Sequence, residues 1–158
     1  MARAAPVLVL LAVFAASAEG DYSADAYAAC SACHLPDGAG VPGAFPPIRN
    51  RAAAMARLDG GREYMIAVVT YGLMGTIQVD SAQYFGVMAG LGASMSDDEI
   101  AAALNYIVFA LSDDEVTDVE PFTAAEVGQV RAAMVTKSPA GGGQMRTELA
   151  EKHGGRLP

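Results

Sequence analysis

The sequence predicts an all-α fold, and three observations carry that reading. A capped amphipathic helix runs through "MSDDEIAAALNYIVFALS", an alanine-rich helix closes on a cysteine cluster in "SADAYAACSACH", and no strand-like alternation of useful length stands out among the 158 residues. The first of these is the strongest. Ser96 takes the N-cap and Glu99 lies three residues on, the pattern of a capping box. Ile100, Ala103, Leu104, Ile107, Val108 and Leu111 then recur at helical spacing and define one buried face. Asp97, Asp98 and Glu99 in the first turn suit the positive end of the helix dipole.

The other elements follow in chain order. "MARAAPVLVLLAVFAASAEG" combines Arg3, an apolar run from Pro6 to Phe14 and the small-residue site Ala16-Ser17-Ala18, which together read as a secretory signal peptide over 1–18, cleaved near Ala18. The run is too short to anchor in a bilayer, which needs about 20 apolar residues, so no permanent membrane span is expected. The main domain is then 19–115. Its first helix has Ser23 or Asp25 as cap, and the glycines and prolines of "LPDGAGVPGAFPPIRN" rule out regular structure after it. A second helix is expected from near Asp59 to Gly72, with the glycine as its stop. Residues 116–158 read as a C-terminal helical appendage or flexible tail. Thr123 and Glu126 suggest a second capping box there, Ser138-Pro139 a last helix start, and Gly141 to Gly143 a weak stretch for any helix.

Charge excludes some functions. The formal net charge is −8, and loss of Arg3 with the leader leaves nine bases against eighteen acids. Such a surface repels nucleic acid and anionic membranes. The charge is also divided along the chain. Glu63 to Val130 holds eleven acids and no Lys or Arg, directly after a basic cluster of Arg49, Arg51, Arg57 and Arg62.

Both cysteines of the chain fall in Cys30-Ser31-Ala32-Cys33-His34. A disulfide between them would close a very small loop, where cross-linking stabilises least. A thioredoxin-like redox pair needs a βαβ setting. Zinc needs four ligands, and the other histidine, His153, is far along the tail. The reading that uses all three residues is covalent attachment of one haem c, the meaning of C-x-x-C-H in an exported chain. Cys30 and Cys33 form the thioethers and His34 is the proximal ligand to the iron. Met/His ligation would close the sixth position and raise the potential. Met88, in a glycine-rich loop where Gly86, Gly90 and Gly92 would allow close approach of backbone to ring, is the leading candidate, with Met74 and Met95 as alternatives. Met95 precedes the N-cap Ser96, where an apolar residue packs on Ile100 as a hydrophobic staple.

These motifs resemble those of the class I c-type cytochromes, the bacterial monohaem kind. "YAACSACHLPDGAGVPGAFPPI" matches the haem-attachment region, and "YFGVMAGLGASMSDDEIAAALNYI" matches the distal-ligand region and the helix after it. The resemblance covers about Asp21 to Ser112. It implies a small fold wrapped around one haem, Met88 as the distal ligand, and Pro46 as the residue whose carbonyl steadies His34. Ala89 departs from the family, which usually has proline after its ligand methionine. Arg49, Asn50 and Arg51 are candidates to reach the haem propionates, against the alternative of a solvated basic patch.

The expected function is that of a periplasmic one-electron carrier with no catalytic residues of its own. The alternatives are a dedicated cytochrome subunit of a periplasmic dehydrogenase or oxidase/reductase complex, and a haem catalyst or sensor with an open sixth position. The resemblance implies redox partners such as a periplasmic dehydrogenase or a terminal oxidase or reductase. The acidic run of this chain suits a partner with a basic docking patch.

Overall fold

The computed structural model describes residues 22–134 and 141–158. The leader and Ser138-Pro139 lie outside the described residues. A 3₁₀ turn over Ala24–Tyr27 leads into α1 (Ala28–His34), followed by a long loop, α2 (Ala52–Ala56) and α3 (Gly61–Tyr71). Two strands come next, β1 (Gly72–Val79) and β2 (Ala82–Ala89), and then α4 (Asp97–Asn105), α5 (Ala124–Met134) and α6 (Gly141–Lys152).

The expected helices form for the expected reasons. Ser96 caps α4: its side chain accepts from the Glu99 amide while Glu99 accepts from the Ser96 amide at 2.7 Å, completing the capping box. α3 stops at Gly72, whose φ of 87° lies outside the range easily open to other residues. At Thr123 only half of the expected box is present. The Thr123 hydroxyl accepts from the Glu126 amide, but the Glu126 carboxylate turns away to Arg62, at 2.6 and 2.7 Å. α4 continues as a π turn over Tyr106–Ala110, which keeps Ile107 and Val108 buried.

The all-α expectation is corrected by the hairpin. β1 and β2 pair antiparallel with Leu73 opposite Met88, Gly75 opposite Gly86 and Ile77 opposite Tyr84. The connection is the two-residue loop Asp80-Ser81, with Asp80 at a φ of 52°, a turn length that matches strand twist. Side chains alternate between two faces along a strand. One face carries Leu73, Ile77, Val79, Tyr84 and Met88. The other carries Met74, Phe85 and Val87, which are 60, 78 and 71% exposed. Apolar residues on both faces, with glycines between them, erase the period-two signal that marks a half-buried strand.

One buried cluster joins the helices. It includes Tyr27 from the first turn, Ile66 and Val69 from α3, Ile100 and Leu104 from α4, Val127 and Val130 from α5, and Leu149 from α6. The segment after residue 115 therefore contributes to the same core. Its tie to α4 is specific: Asn105 is buried, donates to the Phe122 carbonyl at 2.9 Å and accepts from the Phe122 amide at 2.6 Å.

The two charge blocks of the sequence interleave in space. Arg49 pairs with Asp113, Arg51 with Asp80, Arg57 with Asp118, Arg62 with Glu126 and Arg131 with Asp97. Five of the acids in the basic-free run are thus held within the molecule, and the basic cluster of the sequence is neutralised rather than solvated. Arg49 and Asp113 share their contact with Asn50, whose side chain donates to Asp113 at 2.6 Å and accepts from its amide at 2.7 Å.

Asn105→Ala strands the amide and the carbonyl of Phe122 in the core. Each unsatisfied group costs about 1–3 kcal/mol, so chemical denaturation should show a loss of about 2–4 kcal/mol with an unchanged m-value.

Candidate functional site

α1 delivers Cys30, Cys33 and His34 to the wall of a hollow in the core. One helical turn separates the two thiols, so both face the same side. Both are free; Cys30 is buried and Cys33 exposed. Burial pushes the Cys30 thiol above its ordinary pKa, and the neighbouring Cys33 adds to the shift. Reactive redox cysteines are instead low-pKa thiols in electropositive surroundings. Among the described residues no three His, Cys, Asp or Glu side chains gather as metal ligands on their own.

The chain turns sharply after His34. Leu35 adopts φ 65°, ψ 158°, a strained conformation for a side chain of its size. It is held there by the Tyr27 hydroxyl, which donates to the Leu35 carbonyl at 2.9 Å. Burial raises the Tyr27 pKa far above its ordinary value, with Cys30 and Tyr106 as smaller contributors, so this donor stays protonated. The Tyr27 ring stacks on Tyr106, with centroids 5.2 Å apart, and joins the first helix to the end of α4.

His34 is only 8% exposed, and its Nδ1 lies 2.8 Å from the Pro46 carbonyl oxygen. That acceptor fixes the proton on Nδ1 and leaves Nε2 with its lone pair for a metal, the usual arrangement of a ligating histidine. Gly40 makes the arrangement possible. It has a φ of 67°, and a Cβ there would overlap the Phe45 carbonyl and come within 2.7 Å of the Pro46 carbonyl oxygen.

Two adjoining clefts meet at His34, with volumes of about 580 and 150 Å³. Sites for cofactors usually span about 300–1,000 Å³, and the walls here are mainly apolar. Cys30, His34, Pro46, Leu73, Ile77 and Met88 border both clefts. An apolar hollow with two thiols, one imidazole and methionine thioethers on its walls suits the donor set of a covalently held haem. The residues present fit the group.

The methionines separate clearly. Met88 borders both clefts from β2. Met55 and Met65 border the smaller cleft and are buried in the helical core. Met74 points to the opposite face of the hairpin and is 60% exposed, and Met95 borders neither cleft but packs against the core. Met88 sits on a strand, where a loop was expected. The glycines after it serve a different contact from the one expected: a Cβ on Gly90 would come 2.7 Å from the Thr70 carbonyl oxygen, and one on Gly92 equally close. They seat the chain on the end of α3.

Two arginines border the smaller cleft, Arg51 and Arg146. Arg51, a sequence candidate for propionate contact, also ties α2 to the hairpin turn through Asp80. Arg49 and Asn50 engage Asp113 and border neither cleft. Sequence reasoning missed Arg146. It lies on α6, donates to the Tyr64 hydroxyl at 3.2 Å and to the Gln78 carbonyl at 2.9 Å, and makes no ion pair among the described residues. Nothing in the local pattern distinguishes it from a surface arginine of a polar helix. His153 is likewise structural, its Nε2 lying 3.1 Å from the Asp59 carbonyl oxygen.

Comparison with known proteins adds an independent line. The family model described as cytochrome c matches residues 21–110. A cytochrome c-552 of Thermus thermophilus is 45% identical over 130 residues, covering 82% of this chain and 85% of that protein. A second cytochrome c-552 from Thermus thermophilus is 47% identical over 111 residues, covering 70% of this chain and 84% of that protein.

Tyr27→Phe keeps the ring stack and removes the hydroxyl that holds Leu35. The loss of this hydrogen bond should lower stability by about 1 kcal/mol, measured as a shift in the thermal midpoint of the intact protein.

Proposed function

The chain belongs to the cytochrome c family, and from that premise we propose that it is a periplasmic one-electron carrier whose haem iron is held between His34 and Met88. Membership of the family brings the covalently bound haem c and the role of electron carrier. The bound haem supplies one-electron exchange at its iron; the chain supplies ligation, burial and docking.

The observation that carries the ligand assignment is the position of Met88. It borders the same two clefts as His34, while Met74 and Met95 border neither. In this reading Cys30 and Cys33 hold the porphyrin edge by thioether bonds. His34 binds through Nε2 with Pro46 behind it. Arg51 and Arg146 are the cations available to the propionates, where a guanidinium can form paired hydrogen bonds to a carboxylate. A Met/His pair shuts out external ligands and favours the reduced state, which suits a carrier better than a catalyst.

Export rests on the leader over 1–18 and on the attachment motif. No helix among the described residues is long and apolar enough to cross a membrane. The partner is a periplasmic dehydrogenase or a terminal oxidase or reductase with a basic patch around its own redox centre. What supports this is the mouth of the larger cleft, where Phe45, Phe85 and Val87 are exposed beside Cys33. An apolar rim excludes water at the contact, and acids outside it guide the approach. Redox encounters are small and brief, so the charges act on the association rate.

Intact mass of the exported protein should show the leader lost and one haem gained per chain, and replacing Cys30 or Cys33 should weaken or abolish attachment. Met88→Ala should remove the weak sulfur-to-iron absorption band of the oxidised protein, admit carbon monoxide and lower the midpoint potential. Met95→Leu should preserve all three properties, since a volume-conserving swap costs under about 1.5 kcal/mol. Retention of the band in Met88→Ala, or a mature mass without haem, overturns the reading.

Electron transfer with the basic partner should slow as salt rises, because the Debye length contracts from about 10 Å at 0.1 M to about 3 Å at 1 M. Asp114→Asn with Glu115→Gln should flatten that dependence. Neither residue has an ion-pair partner among the described residues, so the change leaves the Arg49–Asp113 contact in place.

A further inference from the structure

The glycine run at the start of α6 is a poor helix sequence, and its location gives it a purpose. A Cβ on Gly142 would overlap the Gly72 carbonyl oxygen, and one on Gly143 would come within 3.2 Å of the Met74 carbonyl oxygen. The helix therefore rests directly on the backbone of β1. Gly72 is itself pressed from its other side, where a Cβ would overlap the Met88 carbonyl oxygen and come 2.8 Å from the Gly90 amide nitrogen. Register pairs Gly72 with Ala89 and Leu73 with Met88. Gly142, Gly72 and Met88 thus form a stack of backbone on backbone, with no side chain between them to absorb a displacement.

Farther along β1, Arg146 of α6 donates to the Gln78 carbonyl, and at the turn Asp80 pairs with Arg51. The outer face of the hairpin, with Met74, Phe85 and Val87, is exposed. At its base, the contact from α6 arrives through Gly142.

We propose that Gly142 is a positioning residue: by letting α6 seat on Gly72, it holds the hairpin where the Met88 sulfur reaches the sixth position of the iron. The proposal rests on the assignment of Met88 as distal ligand. It makes the C-terminal helix part of the ligand apparatus, acting across β1. Packed backbone transmits displacement because it has little slack. A shift of β1 moves Met88 with it and raises the fraction of molecules in which the sulfur is off the iron. The apparent affinity for an external ligand scales with that open fraction.

Helix propensity and seating predict opposite outcomes. On propensity alone, alanine for glycine within α6 would stabilise the protein. On seating, Gly142→Ala destabilises it and loosens the ligand. The experiment uses the full-length holoprotein, with carbon monoxide as the probe of the reduced form, together with the sulfur-to-iron band and the midpoint potential. Gly142→Ala should raise the apparent carbon monoxide affinity about tenfold, weaken the band and lower the potential. Gly143→Ala, with its easier contact, should fall between Gly142→Ala and the parent. Leu149→Ala loosens α6 at its core anchor and controls for general destabilisation; it should lower the thermal midpoint with less than about a twofold change in carbon monoxide affinity.

A parent protein lacking the band overturns the Met88 assignment and this inference with it. A parent with the band, and a Gly142→Ala protein that matches it in affinity and potential, overturns the inference alone. So does a Leu149→Ala protein with the same affinity gain at the same loss of stability. If Gly142→Ala does not accumulate as holoprotein, the comparison of Gly143→Ala with Leu149→Ala decides: equal affinities overturn the proposal, and a greater affinity in Gly143→Ala supports it.

Discussion

A short chain that must surround a flat group larger than any side chain has to build its walls from many separate elements. That constraint governs this molecule. The hollow is bordered by α1, the loop after it, α2, α3, both strands, α4 and α6. Were it left without an occupant, the apolar residues that border it would face water and lose the burial that holds a small core together. The haem is thus as much the centre of the core as its cargo. The ordinary apolar contacts of Ile66, Ile100 and Val127 lie beside it and do not replace it.

Around this centre the structure steadies His34 and Met88, the candidate ligands, through other residues. Tyr27 fixes the reversal after His34, Gly40 admits the carbonyl that orients the imidazole, and the hairpin register sets the height of Met88. These supports use backbone groups more than side chains. Backbone positions are set by several elements at once, so the geometry does not depend on any single rotamer.

What the sequence disclosed, it disclosed through local chemistry. Cys30, Cys33 and His34 lie within five residues, and their meaning depends on spacing alone. The cap and stripe of α4 are likewise written in one continuous segment, and so is the glycine stop of α3. The hairpin was hidden because Met74, Phe85 and Val87 make its outer face as apolar as its inner one. The short α2 was hidden by length: five residues carry little periodicity. Arg146 and the pairing of Asp113 with Arg49 and Asn50 were out of reach for another reason. They depend on contacts across more than sixty residues, and nothing near either partner announces the other.

The separation of these contacts along the chain has a consequence for biogenesis. The attachment motif lies on the first helix, while Asn105, Arg131 and Arg146 make contacts that require the later segments. A chain made from its N-terminus presents Cys30, Cys33 and His34 before α5 and α6 are there to pack against the earlier elements. At that stage the part of the wall that α6 contributes through Arg146 is still absent. Attachment at that point would precede the closing of the core by Val127, Val130 and Leu149.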